Sequence, residues 1–204
     1  MSRWEPDARG RLERAALELF MERGFEQTTV AEIAERAGLT ERTFFRYFAD
    51  KREVLFGGTD LLRERLVTEI ERSGDVAAAP LDAVVAALQV AGAVIQERGD
   101  YPRRRQAVIT ANTELREREL IKLAMLAAAM ASALRDRGVP EPDASLAAEA
   151  GMAVFRIAFE RWTAARCEPA LVELMADSLD RLKDLTAFTQ GRRTHKEPET
   201  IQNG

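Results

Sequence analysis

Two arginines four residues apart, Arg42 and Arg46, stand in the stretch ERTFFRYFADKR beside Glu41, Thr43, Phe45, Tyr47 and Lys51. Residues four apart on a helix share a face. An arginine fork matches the O6 and N7 acceptors of guanine, and an aromatic ring or a threonine methyl can touch a thymine methyl. The hydroxyls of Thr43 and Tyr47 and the ammonium of Lys51 are groups that bind phosphate oxygens. The chemistry such a set supports is hydrogen bonding to DNA, with base edges read from one helix. A plain three-helix bundle with a charged outer face has the same composition, and periodicity alone leaves the two readings balanced.

The elements that would position this set are announced by caps. Thr29 can cap a helix, with Glu32 three residues later closing a capping box. Val30, Ile33, Ala34 and Ala37 then form one apolar face at helical spacing. Gly38 suits the left-handed residue that ends a helix. Thr40 can cap the next helix, in which Leu39, Phe44 and Phe48 point inward. Asp50 can cap a third, with Glu53 in the box position. Three capped starts between Thr28 and Arg52 leave room only for short helices and sharp corners, the layout of a helix-turn-helix. Thr28, Thr29 and Thr40, at these corners, complete the candidate DNA-binding set.

The segment AALELFMERGFEQTTVAEIAERAGLTERTFFRYFADKREVLF resembles the DNA-binding domain of the TetR (tetracycline repressor) family of bacterial transcription regulators. Gly24, Phe25, Thr28, Thr29, Val30, Ile33, Ala34, Ala37, Gly38, Thr43, Phe45, Tyr47, Phe48, Lys51 and Leu55 fall in register with the family pattern. The resemblance covers about a quarter of the chain. It departs where Phe45 replaces a common tyrosine, Ala49 a common proline and Arg42 a common glycine. The last change adds a base reader, so the operator cannot be inherited from relatives. The resemblance implies an all-α protein, with an N-terminal three-helix DNA-binding domain and a C-terminal helical ligand-binding and dimerisation domain. It also implies a homodimer that pairs its last two helices in a four-helix bundle.

The 204 residues carry a net charge of −4. Residues 1–52 hold ten basic and ten acidic side chains, so the acidic excess lies beyond them. DNA binding must therefore rest on a few well-placed cations, with modest non-specific affinity. The single cysteine, Cys167, excludes an internal disulfide and suits a reducing cytoplasm. The single histidine, His195, stands in a polar tail, which removes most histidine catalysis and most zinc sites. No nucleophile–base pair or metal cluster emerges, and neither a catalytic residue nor a cofactor is expected. The polar start and the lack of a long apolar run argue against a leader or a membrane span.

Along the chain, residues 1–8 read as a frayed arm in which Arg3 or Trp4 could meet DNA or the domain. Helix then runs from about Ala8 to Arg23, with Leu12, Ala15, Ala16, Leu19 and Phe20 as its buried stripe. A long helix is expected from about Lys51 to Ser73, with Gly57-Gly58 either a local break or a compliant point. Further helices are expected over Leu81–Arg98, Arg103–Glu114, Glu117–Arg137, Asp143–Arg166 and from Pro169 to Phe188. The domains divide as 1–52, 53–190 and a disordered tail, 191–204. Val90, Val94, Arg103, Val108, Met125, Met130, Phe155 and Phe159 are candidate lining for a ligand pocket, since methionine adapts to varied shapes. Met152, Trp162, Leu171, Leu174 and Leu182 are candidate dimer contacts on helices more apolar than one core needs.

These readings converge on a ligand-responsive, dimeric, cytoplasmic transcription regulator. It would most simply be a repressor of a palindromic double-stranded operator, released by a small apolar or amphipathic effector. A faint resemblance to the branch that senses fatty acyl-CoA thioesters makes acyl-CoA a first guess. The competing reading is a helical small-molecule-binding protein with a vestigial helix-turn-helix.

Overall fold

Helix α1 (Ala8–Arg23) begins where Asp7 turns into the left-handed region, at φ 73°, and accepts the backbone N–H of Gly10. The computed structural model describes residues 7–77, 79–165 and 169–190. The N-terminal arm, Cys167 and the tail with His195 lie outside them. Leu12, Ala15, Ala16, Leu19 and Phe20 are buried at the expected spacing. Gly24 ends the helix at φ 88°, a conformation cheap only for glycine. Phe25 then folds back edge-on to Phe20, with ring centroids 5.2 Å apart.

Short helices α2 (Val30–Arg36) and α3 (Glu41–Tyr47) follow, then a 3-10 turn over Arg52–Leu55. The single helix expected over 51–73 is therefore not continuous. Phe56 N–H bonds to Glu53 and Thr59 N–H to Phe56, an i→i−3 pattern, and α4 (Thr59–Arg72) starts only after Gly57-Gly58. A Cβ on Gly57 would lie 2.8 Å from Phe48, Arg9 and Glu13, whereas one on Gly58 meets nothing. Gly57 is thus required by close packing against α1 rather than by a need for compliance. Glu53 does not close a capping box, since its carboxylate turns away to Arg118 and Lys122. Asp50 does cap this turn, accepting from the backbone N–H groups of Arg52 and Glu53 at 2.8 and 3.1 Å.

Five more helices complete the described chain: α5 (Pro80–Glu97), α6 (Tyr101–Thr110), α7 (Thr113–Asp136), α8 (Asp143–Ala164) and α9 (Leu171–Gln190). No strand occurs among the described residues. The expected turn at 99–102 is shorter than its composition suggested. Gly99 makes the corner at φ 63°, and Pro102 sits in the first turn of α6, where a missing N–H costs nothing. Helix α7 correspondingly starts ahead of the expected Glu117. Helix α5 also corrects the reading that no segment is apolar enough to span a membrane. It qualifies by length and composition, yet Val84, Val85, Leu88 and Ala91 are spent on the core.

Two apolar cores result. The first gathers α1–α3 with Val54, Leu55 and Phe56, and also draws in Val108, Ile109 and Leu115 from α6 and α7. The second gathers α4, α5, α7, α8 and α9 around Leu66, Ile70, Leu88, Met130, Leu134 and Phe155. The first core thus reaches past residue 52, and α6 with the start of α7 is built into it. At the far end of α4, Arg137 donates to the carbonyls of Ile70, Glu71, Ser73 and Gly74. A guanidinium there satisfies the orphan carbonyls of a helix C-terminus and opposes its negative dipole end.

Candidate nucleic-acid interface and effector cavity

Helix α2 is held at both ends by its own sequence. Thr29 Oγ1 accepts the Glu32 backbone N–H at 3.2 Å, and the Glu32 carboxylate accepts the Thr29 N–H at 2.8 Å. The Thr29 N–H and hydroxyl, with Arg23 as neighbour, hold the half-buried Glu32 carboxyl below the usual glutamate range. At the other end Gly38, at φ 67°, closes a Schellman turn, with Leu39 N–H to Ala34 O at 2.8 Å and Gly38 N–H to Glu35 O at 2.9 Å. Thr40 then caps α3, its Oγ1 accepting the Thr43 N–H at 3.2 Å.

This fixes α3 with one face in and one face out. Phe44 and Phe48 are buried, their ring centroids 5.4 Å apart. Glu41, Arg42, Phe45, Arg46 and Tyr47 are exposed, with Phe45 at 54%. The Arg46 guanidinium lies 5.0 Å above the Tyr47 ring, which orders both side chains. Arg42 has no hydrogen-bond or ion-pair partner among the described residues. Thr43 is half-buried, its hydroxyl 3.1 Å from that of Thr40. The result is a rigid, capped helix presenting two guanidinium groups and two aromatic rings to solvent.

Two of the expected DNA contacts have other partners. Thr28 is buried at 1% exposure, and its hydroxyl donates to the Gly24 carbonyl at 2.9 Å. It locks the corner after α1 and offers nothing to a ligand. Lys51 Nζ donates to the Phe25 carbonyl at 2.7 Å and sits 4.2 Å over the Phe25 ring. Its charge fastens the recognition unit to the first core. The hydroxyls of Thr29 and Thr40 are likewise committed to caps, though both side chains are exposed.

A cavity of about 830 Å³ lies between the first core and helices α4–α8. Apolar side chains of Leu62, Ile95, Leu123, Leu126, Phe155 and Phe159 form its body. Phe155 and Phe159 stack, with centroids 5.6 Å apart. Six cations (Arg65, Arg98, Arg105, Arg116, Lys122 and Arg156) and three carboxylates (Glu13, Glu119 and Glu160) line the remainder. Tyr101 is at the wall, and burial, with Glu13 adding to it, pushes its phenol pKa up, so the hydroxyl stays neutral and able to donate. Pockets of about 300–1,000 Å³ with an apolar body and a few polar groups hold drug-sized molecules.

Of the residues expected to line a pocket, Val94, Phe155 and Phe159 do so. Val90 faces a separate shallow groove between α4 and α5. Arg103 stacks 4.6 Å over the Trp162 ring, Val108 is in the first core, Met125 is exposed and Met130 is fully buried in the second core. The proposed dimer contacts Met152, Trp162, Leu171 and Leu174 are also interior residues of the second core, and Leu182 is half-buried. The outward apolar residues of α8 and α9 are instead Leu146, Ile157 and Leu185.

The cavity is wired to the recognition unit by Lys122 and Arg118, which the sequence reading did not single out, and by Arg105, part of an arginine run that could receive an anionic head group. Lys122 Nζ lies 3.0 Å from Glu53 Oε2, and Arg118 also pairs with Glu53. Arg105 donates to the Leu55 carbonyl at 2.7 Å, lies 4.9 Å from the Phe56 ring centroid and pairs with Glu119 at 3.1 Å. The one available signal was that Arg118 and Lys122 are four apart and so share a face of α7.

Residues 13–56 match the family model described as bacterial regulatory proteins, tetR family. The HTH-type transcriptional regulator TcmR of Streptomyces glaucescens is 44% identical over 63 residues, 31% of this chain. The match spans only 28% of that relative's length. Among solved structures, Thermus thermophilus FadR, a TetR family transcriptional repressor in complex with lauroyl-CoA, superposes with TM-score 0.54 at 25% identity, over 96% of this chain and 99% of that one. SmeT, the repressor of the Stenotrophomonas maltophilia multidrug efflux pump SmeDEF, gives TM-score 0.52 at 25% identity, over 83% of this chain and 84% of that one.

Proposed function

We propose that this chain, whose residues 13–56 match the tetR family of bacterial regulatory proteins and whose fold is similar to solved TetR-family repressors, is a homodimeric transcriptional repressor released by a small effector. The observation that carries this reading is the outward face of α3. Arg42, Phe45, Arg46 and Tyr47 stand exposed on a helix whose caps and buried phenylalanines leave it no other orientation. In DNA this face fits the major groove, with Arg42 and Arg46 on base edges. Thr29, Thr40, Glu41 and Thr43 flank the groove, close to the phosphate backbone.

One such helix reads only a few bases, so two copies related by a two-fold axis are needed for a palindromic operator with half-sites about 34 Å apart. Exposed Leu146, Ile157 and Leu185 on α8 and α9 supply apolar surface for that pairing. The DNA-reading part then runs to Phe56 and the sensing part from Thr59. Effector in the 830 Å³ cavity shifts the balance between two placements of α3 only by its difference in affinity for them. DNA and effector must weaken each other's binding by the same factor. The apolar body and cationic rim suit an amphipathic molecule, and an acyl-CoA is the first to try, given the lauroyl-CoA held by the similar repressor. The working place of such a regulator is the cytoplasm.

Sedimentation of the full chain with a duplex selected from genomic fragments tests the reading. The expected species has two protomers per duplex and dissociates on adding an acyl-CoA that binds. A free chain that stays monomeric at micromolar concentration, and binds duplex one to one, contradicts the dimer.

A further inference from the structure

Among the described residues, Lys122 is the one side chain that both lines the cavity and holds an acid of the segment behind the recognition helix. Its ammonium lies 3.0 Å from Glu53 Oε2, with side-chain exposures of 17% and 15%. Glu53 itself is not part of the cavity wall. A ligand can therefore reach the ammonium without touching the carboxylate it serves. Glu53 begins the short segment Glu53–Phe56, five residues beyond Phe48, the C-cap of α3, and the same segment is held from α6 through Arg105 to the Leu55 carbonyl. Arg105 also lines the cavity. Of the three side-chain ties from α6 and α7 to this segment, only Arg118 is absent from the cavity wall.

The charge of the wall selects the sign of what can enter. Six cations face three carboxylates there, in a chain whose net charge is −4. Arg98, Arg105 and Lys122 are paired, with Glu13, Glu119 and Glu53. No ion pair occupies Arg65, Arg116 or Arg156 among the described residues. A concave wall with such an excess concentrates anions, and its low-dielectric surroundings strengthen their pairing.

Resting on the reading of this cavity as the effector site, we propose that the effector is an amphipathic anion and that its head group competes with Glu53 for Lys122. The apolar tail lies against Leu123, Leu126, Phe155 and Phe159, and the carboxylate or phosphate takes the ammonium. Glu53 is left with Arg118 alone, the hold of α7 on the 53–56 segment weakens, and α3 loses its fixed placement. An uncharged molecule of the same shape fills the cavity but leaves the Glu53–Lys122 pair intact. Glu53 and Lys122 are thus positioning residues that convert charge in the cavity into movement of the recognition unit.

The test uses decanoate and 1-decanol, which share a chain and differ in charge, with calorimetry on the full chain and on Glu53→Gln and Lys122→Gln. Decanoate is expected to bind the wild type more tightly than decanol. Glu53→Gln removes the competitor, so decanoate affinity should rise about fivefold or more, the low end of ordinary coupling between sites, while decanol affinity stays the same. Lys122→Gln should erase the preference for decanoate, and it keeps the test open if Glu53→Gln does not fold. Hydrogen exchange over residues 49–56 should speed up with decanoate and not with decanol. If both probes bind but Glu53→Gln leaves decanoate unchanged, or raises both alike, competition is overturned while the cavity reading stands. If neither probe binds, the cavity reading fails and the proposal with it.

Discussion

The two cores of this chain are built by different means. In the first, helix ends are specified by side chains a few residues away: Asp7 for α1, Thr29 and Glu32 for α2, Thr40 for α3, Asp50 for the 3-10 turn. In the second, none of α4, α5, α7 or α8 has a side-chain cap at its N-terminus. Its helices are placed by ties from far along the chain: Arg137 on the end of α4, Gln96 accepting the Leu171 N–H at 2.8 Å, Lys183 on Asp82 at 2.9 Å. A recognition helix must keep one geometry in every complex, and local caps provide that. A sensor must exchange one arrangement for another, and long-range ties that a ligand can replace allow it.

The comparison breaks first if the first core tolerates loss of its centre. Phe44 is fully buried, so Phe44→Ala should cost about 3–5 kcal/mol, seen as a lowered thermal midpoint together with lost DNA binding. Arg42→Ala should leave stability alone. It should cost about 1–3 kcal/mol of specific DNA affinity and relax preference at one base position per half-site, measured by binding to a substituted operator panel. Lys51→Ala should act in the opposite way. Because Nζ is bound to the Phe25 carbonyl, the loss should be about 1–2 kcal/mol of stability, with the salt slope of DNA binding unchanged. Thr29→Ala removes one half of the capping box and should cost about 1 kcal/mol in chemical denaturation.

The smallest effect is that of pH. The Glu32 carboxyl is held low in the folded chain by the Thr29 N–H and hydroxyl. Its contribution is complete above the ordinary glutamate range and is lost as pH falls through the lowered folded value. Melts of wild type and Glu32→Gln should therefore converge on acidification and separate at neutral pH.

The same division decides what could be read from the amino acids alone. The α2–α3 corner was legible because Thr29, Glu32, Gly38 and Thr40 each act on neighbours within five residues. Thr28 and Lys51, expected as DNA contacts, also hold the Gly24 and Phe25 carbonyls, ties that only the folded corner after α1 reveals. In the second core the helices and their apolar periodicity were legible, but which side of each helix meets the cavity was not. Val94 and Met125 have similar surroundings in sequence, yet one lines the cavity and the other faces solvent. Met152, Trp162, Leu171 and Leu174 were read as surplus apolar surface because nothing local reveals that α8 and α9 share a core with α5. The break at Gly57 was visible, but its cause, the close approach of Phe48, was not.

The central claim, that the outer face of α3 reads DNA, is tested most directly by fluorescence anisotropy. Wild type and Arg42→Ala would be titrated across a salt series against DNA flanking the chain's own gene and against fragments selected from its genome. The account predicts tight binding of a selected site by the wild type and a loss on Arg42→Ala that exceeds its loss on random DNA. Equal loss on selected and random sequences, or no selected sequence at all, would contradict it.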